Sequence, residues 1–141
     1  MASEKFIPQA AAVPYRRVAN SNVEVLLIRR KDRRDWGIPK GLVDPGCTER
    51  EAAEIEAHEE AGLEGELLSE PLGEFTYEKY RGLCRVRVFA MRVTAVHDDY
   101  DEKGYRIREW FDIASAVERV ERKAVKDLIQ ELAKRLKQPL K

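Results

Sequence analysis

Three glutamates with helical spacing are the residues best suited to chemistry in this chain. Glu56, Glu59 and Glu60 stand at positions i, i+3 and i+4, so on a helix their Cβ atoms would be neighbours, roughly 5–6 Å apart. Like charges at this spacing repel each other, and a divalent cation such as Mg²⁺ would offset that repulsion because it takes carboxylate oxygens together with substrate phosphates. The alternative is a solvated acidic face, which is common in a chain with 26 acidic residues.

The elements that would position these glutamates are a helix and the loop before it. Thr48 and Glu51 form a T-x-x-E capping box that predicts the start of the helix, and Gly62 is suited to end it. Residues 36–46 contain three glycines and two prolines, which predicts an ordered loop without a regular element. This loop carries Lys40, and its exposed backbone groups could approach a phosphate.

The remaining pattern predicts an α/β (α+β) domain that spans residues 1–141. Strands are expected at 10–17, 23–28, 66–79, 83–95 and 106–111, and an amphipathic helix at about 121–137. Pro14 predicts that the first strand lies at a sheet edge or carries a bulge. We expect the C-terminal helix to complete the core of its own chain rather than to pack against another subunit, and the pattern leaves monomer and homodimer open.

Composition excludes several classes of function. The 26 basic and 26 acidic side chains cancel, which argues against DNA binding driven by bulk charge. The chain has no run of about 18 apolar residues for a membrane span, and its first residues lack the apolar segment of a signal peptide. Two cysteines, Cys47 and Cys84, cannot build a disulfide framework. A cytoplasmic protein without a membrane partner is expected.

The segment from residue 41 to 63 resembles a known motif. It reads Gly41-x5-Cys47-x7-Ile55-Glu56-Ala57-x-Glu59-Glu60-x-Gly62-Leu63, and it is similar to the Nudix box, G-x5-E-x7-R-E-U-x-E-E-x-G-U, where U is a bulky aliphatic residue. The resemblance implies a Nudix hydrolase with a mixed β-sheet sandwiched between α-helices. Further segments resemble the diphosphoinositol polyphosphate and diadenosine polyphosphate phosphohydrolases, namely 14–17, 36–41, 59–65 and 108–111.

The resemblance implies hydrolysis of a pyrophosphate bond in a small nucleoside- or inositol-linked polyphosphate, with Mg²⁺ or Mn²⁺ as cofactor. Glu56, Glu60, Glu59 and the Gly41 carbonyl would hold the metal ion. The same three glutamates would be the catalytic residues, with Glu59 also able to act as general base. Bases outside the box are equally open in such a family, and the candidates here are Glu102 and Glu109.

Basic side chains on the predicted strands and loop fit a substrate rich in phosphates. Arginine suits bidentate phosphate binding and lysine supplies a point charge. The candidates for substrate binding are Arg16, Arg17, Arg29, Lys40, Lys79 and Arg85, with Arg30 and Arg87 beside them. Ordinary surface charge is an equal alternative for any one of them. Trp36 and Tyr77 could stack on a nucleotide base, although aromatic residues more often belong to a core.

Two positions depart from the box. Cys47 and Ile55 stand where the family has a Glu and an Arg that form an ion pair. Replacing both partners together can be nearly neutral, so we expect the two apolar side chains to touch. The change keeps a second class of function open, a catalytically weak module that binds nucleotides or polyphosphates.

Neither His58 nor His97 has a second His or Cys at the spacing of a metal site, so neither is expected to bind a metal.

Other substrates remain as alternatives within the enzyme hypothesis. They are nucleoside triphosphates and the 5′-triphosphate end of RNA. An RNA substrate would require a basic track beyond the pocket, and the balanced charge argues mildly against it.

Overall fold

The computed structural model describes residues 5–137. In this part of the chain seven strands and three helices follow in the order β1 (Ile7–Arg17), β2 (Val23–Arg30), β3 (Lys40–Leu42), α1 (Glu49–Ala61), β4 (Leu63–Leu67), β5 (Gly73–Lys79), β6 (Gly82–Val96), β7 (Arg106–Asp112), α2 (Ile113–Arg119) and α3 (Lys123–Lys137). None of these helices is long and apolar enough to cross a membrane.

All seven strands belong to one mixed sheet with β1 and β6 at its centre. The order of the main path is β4-β6-β1-β2-β7. β1 and β6 run parallel, and every other pair is antiparallel. β3 and β2 pair with successive parts of β1, while β5 and β4 pair with successive parts of β6. The predicted α+β class with a mixed sheet is confirmed.

Helices cover both faces of the sheet. α1 packs through small residues, among them Ala53 and Ala57, against Ala10 and Ala12 of β1. α2 and α3 cover the opposite face, where α3 buries Val125, Leu128, Ile129, Leu132 and Leu136. The C-terminal helix therefore completes the core of its own chain, as predicted.

The prediction from Pro14 is wrong, because β1 is a central strand. The N–H of Ala12 donates to the Pro39 carbonyl at 3.1 Å, and alternate residues of a strand point the same way. The missing N–H of Pro14 therefore faces the side where β1 changes partner, between the segment paired with β3 and the segment paired with β2. No ladder hydrogen bond is lost there, so the proline is tolerated.

Three further expectations are corrected. The strand predicted at 66–79 is two strands, β4 and β5, with residues 68–72 between them; they pair with different parts of β6. The loop at 36–46 contains the short strand β3. The helix α2 was not predicted, although Asp112 caps it by accepting a hydrogen bond from the Ser115 N–H at 2.8 Å.

The predicted ends of α1 are confirmed. The Thr48 hydroxyl accepts from the Glu51 N–H at 3.0 Å, and the Glu51 carboxylate accepts from the Thr48 N–H at 2.8 Å. Gly62 follows the last turn with φ +69°, a left-handed conformation in which glycine pays no steric penalty. A side chain at this position would also collide with the Tyr100 ring.

We predict that Thr48→Ala lowers the free energy of unfolding by about 1 kcal/mol, because it leaves a helix N-terminal N–H without its acceptor. Thr48→Ser should retain most of that stability, because its hydroxyl can accept the same bond. Urea denaturation followed by circular dichroism measures both values. Equal stability of the alanine and serine variants would contradict the role of the capping box.

Candidate active site

The Glu56 and Glu60 carboxylates meet each other beneath α1, against the backbone of Gly41. Gly41 pairs with Ala10 of β1 and lies on the sheet face that α1 covers. A Cβ on Gly41 would lie 2.5 Å from each oxygen of the Glu56 carboxylate, which is too close for any side chain. The close approach therefore requires glycine at position 41 and brings its backbone to the carboxylates.

Glu60 is the more buried carboxylate of the pair, with only 7 % of the residue exposed. It accepts a hydrogen bond from the Lys40 N–H at 3.3 Å. Burial, followed by the hydrogen bond and negative charge of Glu56, raises the pKa of Glu60 to about 9, and Arg106 acts in the opposite direction. Two carboxylates sharing one buried position cannot both ionise without a nearby positive charge.

A cavity of about 450 Å³ opens at this pair of carboxylates. Glu56, Glu60 and Gly41 line it, and Asp44 and Arg106 are among the other polar residues of its wall. The cavity therefore combines the oxygen donors that a hard cation prefers with a guanidinium that could bind an anion.

A second cavity of about 560 Å³ adjoins the first, and basic side chains outnumber acidic ones along its wall. The two cavities share the side chains of Ile38, Lys40, Lys79 and Arg106. The basic residues that line the second cavity are Arg29, Arg30, Arg33, Lys40, Lys79, Arg106 and Arg122, whereas its acidic residues are Asp35 and Glu121. The cavity is therefore suited to an anion with several charges.

Lys40 is held in place at the junction of the two cavities. Its Nζ donates to the Tyr77 hydroxyl at 3.0 Å, and that hydroxyl donates to Oε1 of the buried Gln9 at 2.7 Å. The guanidinium of Arg122 lies 4.5 Å from the centre of the Tyr77 ring. Tyr77 therefore orders two cations at the cavity wall rather than leaving its ring face open to a nucleotide base.

Arg29 and Trp36 form another part of the cavity wall. Nη1 of Arg29 donates to the Arg33 carbonyl at 2.9 Å, and its guanidinium lies 5.2 Å from the centre of the Trp36 ring. Trp36 packs edge-on against Phe111 at 5.0 Å. Trp36 thus packs against the hydrophobic core and also lines the cavity.

Three predicted binding residues lie elsewhere. Arg16 pairs with Glu24 at 2.7 Å, and Arg17 donates to the Leu136 carbonyl at 3.2 Å. Arg16 and Arg17 lie six and seven residues along β1 from Ala10, or roughly 20–23 Å at strand spacing, so the structure does not bring them to the carboxylates. Arg85 lies on β6 over the Phe6 ring and is absent from the walls of both cavities.

The three candidate bases, Glu59, Glu102 and Glu109, do not lie together. The Glu102 N–H donates to the Glu59 carbonyl at 3.0 Å, so the backbone of Glu102 contacts the last turn of α1, whereas Glu59 lines the cavity on the outer side of that helix. Burial and the neighbouring charges of Glu56, Asp101 and Glu102 raise the pKa of Glu59. Glu109 is two residues before Phe111, which packs on the α2 and α3 face. Alternation along β7 therefore places Glu109 on the sheet face opposite α1.

Three basic residues that line the cavities, Arg33, Arg106 and Arg122, were not among the candidates from the sequence. Arg106 forms an ion pair with Glu102, but it begins the strand β7, and the i, i+4 spacing indicates such a pair only on a helix. Arg122 precedes α3, far along the chain from the box, and only the tertiary fold brings it to Tyr77.

The two unusual box positions lie on the outer side of α1. Cys47 and Ile55 line one shallow cavity together with His58 and Glu59. Ile55 is 40 % exposed, so an apolar side chain stands at the surface of the helix. Direct contact between Cys47 and Ile55 stays a prediction.

Comparison with known proteins identifies the family. The family model of the NUDIX domain matches residues 8–132. This chain belongs to the Nudix family. It is 34% identical over 106 residues to Nudix hydrolase 12, mitochondrial, of Arabidopsis thaliana, covering 70% of this chain and 52% of the relative. It is 32% identical over 117 residues to diphosphoinositol polyphosphate phosphohydrolase 2 of Rattus norvegicus, covering 81% of this chain and 63% of the relative.

Solved structures agree on the Nudix fold. A C. elegans Ap4A hydrolase in a binary complex superposes with a TM-score of 0.78 at 23% identity, covering 92% of this chain and 97% of the other. At this identity the likeness shows the fold alone. The chain spans between about half and two thirds of the length of the two sequence relatives described above.

The donors in this Nudix box fit a divalent cation. Glu56 lies close enough to Glu60 to raise its pKa, and the Gly41 backbone lies against the Glu56 carboxylate. Carboxylate and carbonyl oxygens are hard donors that suit Mg²⁺ or Mn²⁺. The cation would take the place of the proton that burial keeps on this pair.

We predict that Glu60→Gln raises the stability of the metal-free protein at pH 7–8 by several kcal/mol, because each pH unit above the unfolded-state pKa contributes about 1.4 kcal/mol. The folded-state pKa of Glu60 is raised to about 9, whereas the unfolded chain ionises near 4.5. The unfolded state therefore binds fewer protons between these values, and wild-type stability falls as pH rises through this window. Glutamine mimics the protonated form of Glu60, so the variant should not lose stability as the pH rises.

The measurement is urea denaturation in EDTA between pH 5 and 8. Glu54→Gln is the matched control, because Glu54 is exposed on the same helix and should leave the pH dependence unchanged. Parallel stability curves for Glu60→Gln and wild type would contradict the raised pKa.

Proposed function

We propose that this chain is a Mg²⁺-dependent hydrolase that cleaves a pyrophosphate bond in a nucleoside- or inositol-linked polyphosphate. The observation that carries the proposal is the continuity of two cavities, one lined by the Glu56–Glu60 pair and one lined by basic side chains. A bound polyphosphate could extend from the basic cavity to the carboxylates, past Lys40 and Arg106, which line both.

The proposed roles follow from these positions. Glu56, Glu60 and the Gly41 carbonyl hold the cation, with Glu59 one turn from Glu56 as a further ligand or as the base that accepts a proton from water. When bound, the cation would polarise phosphoryl oxygens and lower the pKa of a bound water. Water attacks one phosphorus of the pyrophosphate, and the other phosphate leaves with the bridging oxygen. Glu102 remains the alternative base, although Arg106 occupies its carboxylate.

The basic cavity would bind the phosphates that are not cleaved. Lys40, Lys79 and Arg106 line both cavities, which supports a role in binding the phosphates next to the scissile bond. Arg29 and Arg122 line the basic cavity but not the cavity at the carboxylates, so they would contact the part of the substrate farther from the scissile bond. The excess of basic over acidic side chains supports a substrate with several phosphates. The named diphosphoinositol polyphosphate phosphohydrolase among the relatives supports the same substrate class.

A substrate panel tests the proposal. Diadenosine polyphosphates, diphosphoinositol polyphosphates, nucleoside triphosphates, ADP-ribose and 5′-triphosphorylated RNA are each incubated with the protein and MgCl₂ or MnCl₂, and product release is measured. We expect turnover of a polyphosphate of the first two classes. The Glu56→Gln/Glu60→Gln variant should lose about 10²–10³-fold in rate, because it removes the charges that hold the cation.

The outcomes separate the alternatives. Glu54→Gln, on the exposed side of α1, is the matched control and should retain full activity. Preferential turnover of nucleoside triphosphates or of RNA would favour the corresponding alternative substrate. No turnover, with Mg²⁺ binding retained, would contradict the hydrolase and favour a module that binds polyphosphates, with Cys47 and Ile55 as the altered positions of its box.

We also predict that Lys40→Met raises KM about 10- to 100-fold, with a smaller effect on kcat. The substitution removes a charge-assisted phosphate contact that is worth about 1.5–3 kcal/mol and keeps the length of the side chain. Steady-state kinetics with the preferred substrate measure both constants. Lys103→Met, at an exposed position of the 98–105 loop, is the control. Unchanged KM in the Lys40 variant would contradict its role in binding phosphate.

A further inference from the structure

Both histidines of this chain lie side by side on the surface. The sequence contains two, His58 in α1 and His97 directly after β6. Their ring centres are 5.7 Å apart at an interplanar angle of 64°. The spacing of the two histidines along the chain does not predict this arrangement. It arises because β6 ends next to the C-terminal turn of α1.

A carboxylate from a third element completes the cluster. Nε2 of His97 lies 2.8 Å from Oε2 of Glu64 in β4. One ligand atom from each of His58, Glu64 and His97 lies within 4.8 Å of the other two. The side chains of His97 and Glu64 are 41 % and 58 % exposed, so ions from solvent can reach the cluster.

We propose that His58, His97 and Glu64 form a binding site for a borderline divalent transition-metal ion of the Zn²⁺ class. Two imidazoles and one carboxylate suit Zn²⁺, Co²⁺ or Ni²⁺, whereas Mg²⁺ prefers oxygen donors alone. Three protein ligands leave a further coordination position for water. This site does not depend on the hydrolase activity proposed above.

The geometry needs only small side-chain adjustments to accept an ion. Tetrahedral coordination with metal–ligand bonds of about 2.0–2.2 Å sets neighbouring donors roughly 3.3 Å apart. The His97–Glu64 pair must therefore open slightly and the exposed His58 ring must approach. The backbone of His97 is already fixed, because its N–H donates to the Gly62 carbonyl at 2.8 Å.

This site is separate from the Glu56–Glu60 pair. His58 follows Glu56 by two residues and precedes Glu60 by two, which places it about 200° around the helix from each of them. Glu56 and Glu60 line a cavity with Gly41, whereas His58 lines the cavity on the outer side of α1. An ion bound by the histidines would link the end of α1 to β4 and β6 without occupying the site at Glu56 and Glu60.

The test uses ZnCl₂ as the probe and the full chain with Glu56→Gln/Glu60→Gln, which removes the carboxylate pair as a competing site. Two-dimensional NMR follows the imidazole C–H signals during the titration. We expect the signals of both histidines to shift together and to saturate at one ion per chain. Saturation of the protein with MgCl₂ should leave these signals unmoved. Zinc that leaves either histidine signal unchanged would overturn the proposal.

Variants in the same background identify the ligands by isothermal titration calorimetry. His58→Gln, His97→Gln and Glu64→Gln should each weaken Zn²⁺ binding at least about tenfold, which corresponds to 1.4 kcal/mol. Cys47→Ser is the matched control, because Cys47 lines a cavity with His58 but is outside the proposed ligand set, and it should retain the affinity. Loss of binding in Cys47→Ser, or full binding in His97→Gln, would overturn the assignment.

Discussion

The short distance between α1 and the sheet is the constraint on which the candidate site depends. Alanines on both sides of the interface, Ala53 and Ala57 in α1 and Ala10 and Ala12 in β1, are fully buried and leave little separation between helix and strands. Gly41 continues this small-residue surface beyond β1, so the Glu56 carboxylate reaches the backbone of β3. A larger side chain anywhere along this interface would move the carboxylates away from the loop that completes the site.

The same packing explains why two acidic groups can be buried so close together. α1 is fixed at its start by the capping box and at its end by the left-handed Gly62, so a shift of the helix cannot carry Glu56 and Glu60 away from Gly41. The free energy needed to hold Glu56 and Glu60 together is supplied by the apolar contacts of the fold. A cation that binds there therefore meets donors that are already arranged.

Local signals in the sequence predicted the parts of the fold that local chemistry determines. The ends of α1, the periodicity of α3 and most of β6 follow from caps and patterns within a few residues. The central position of β1, despite Pro14, depends on which strands pair along its length. For the site, the box identified the carboxylates, whereas Arg122 and the His58–His97 pair depend on contacts between distant elements that spacing along the chain does not reveal.

The parallel pairing of β1 with β6 bears on how the domain is assembled. Ile7 pairs with Cys84 and Tyr15 with Arg92, so the centre of the sheet joins segments separated by more than half of the chain. Loop closure over that distance is slow compared with local hairpin formation. During synthesis, α1 and the β1–β2 hairpin would emerge well before β6, and β1 would present an unpaired apolar edge until then. Such an edge is a template for aggregation, so we expect the yield of folded protein to depend on how soon β6 docks after its synthesis.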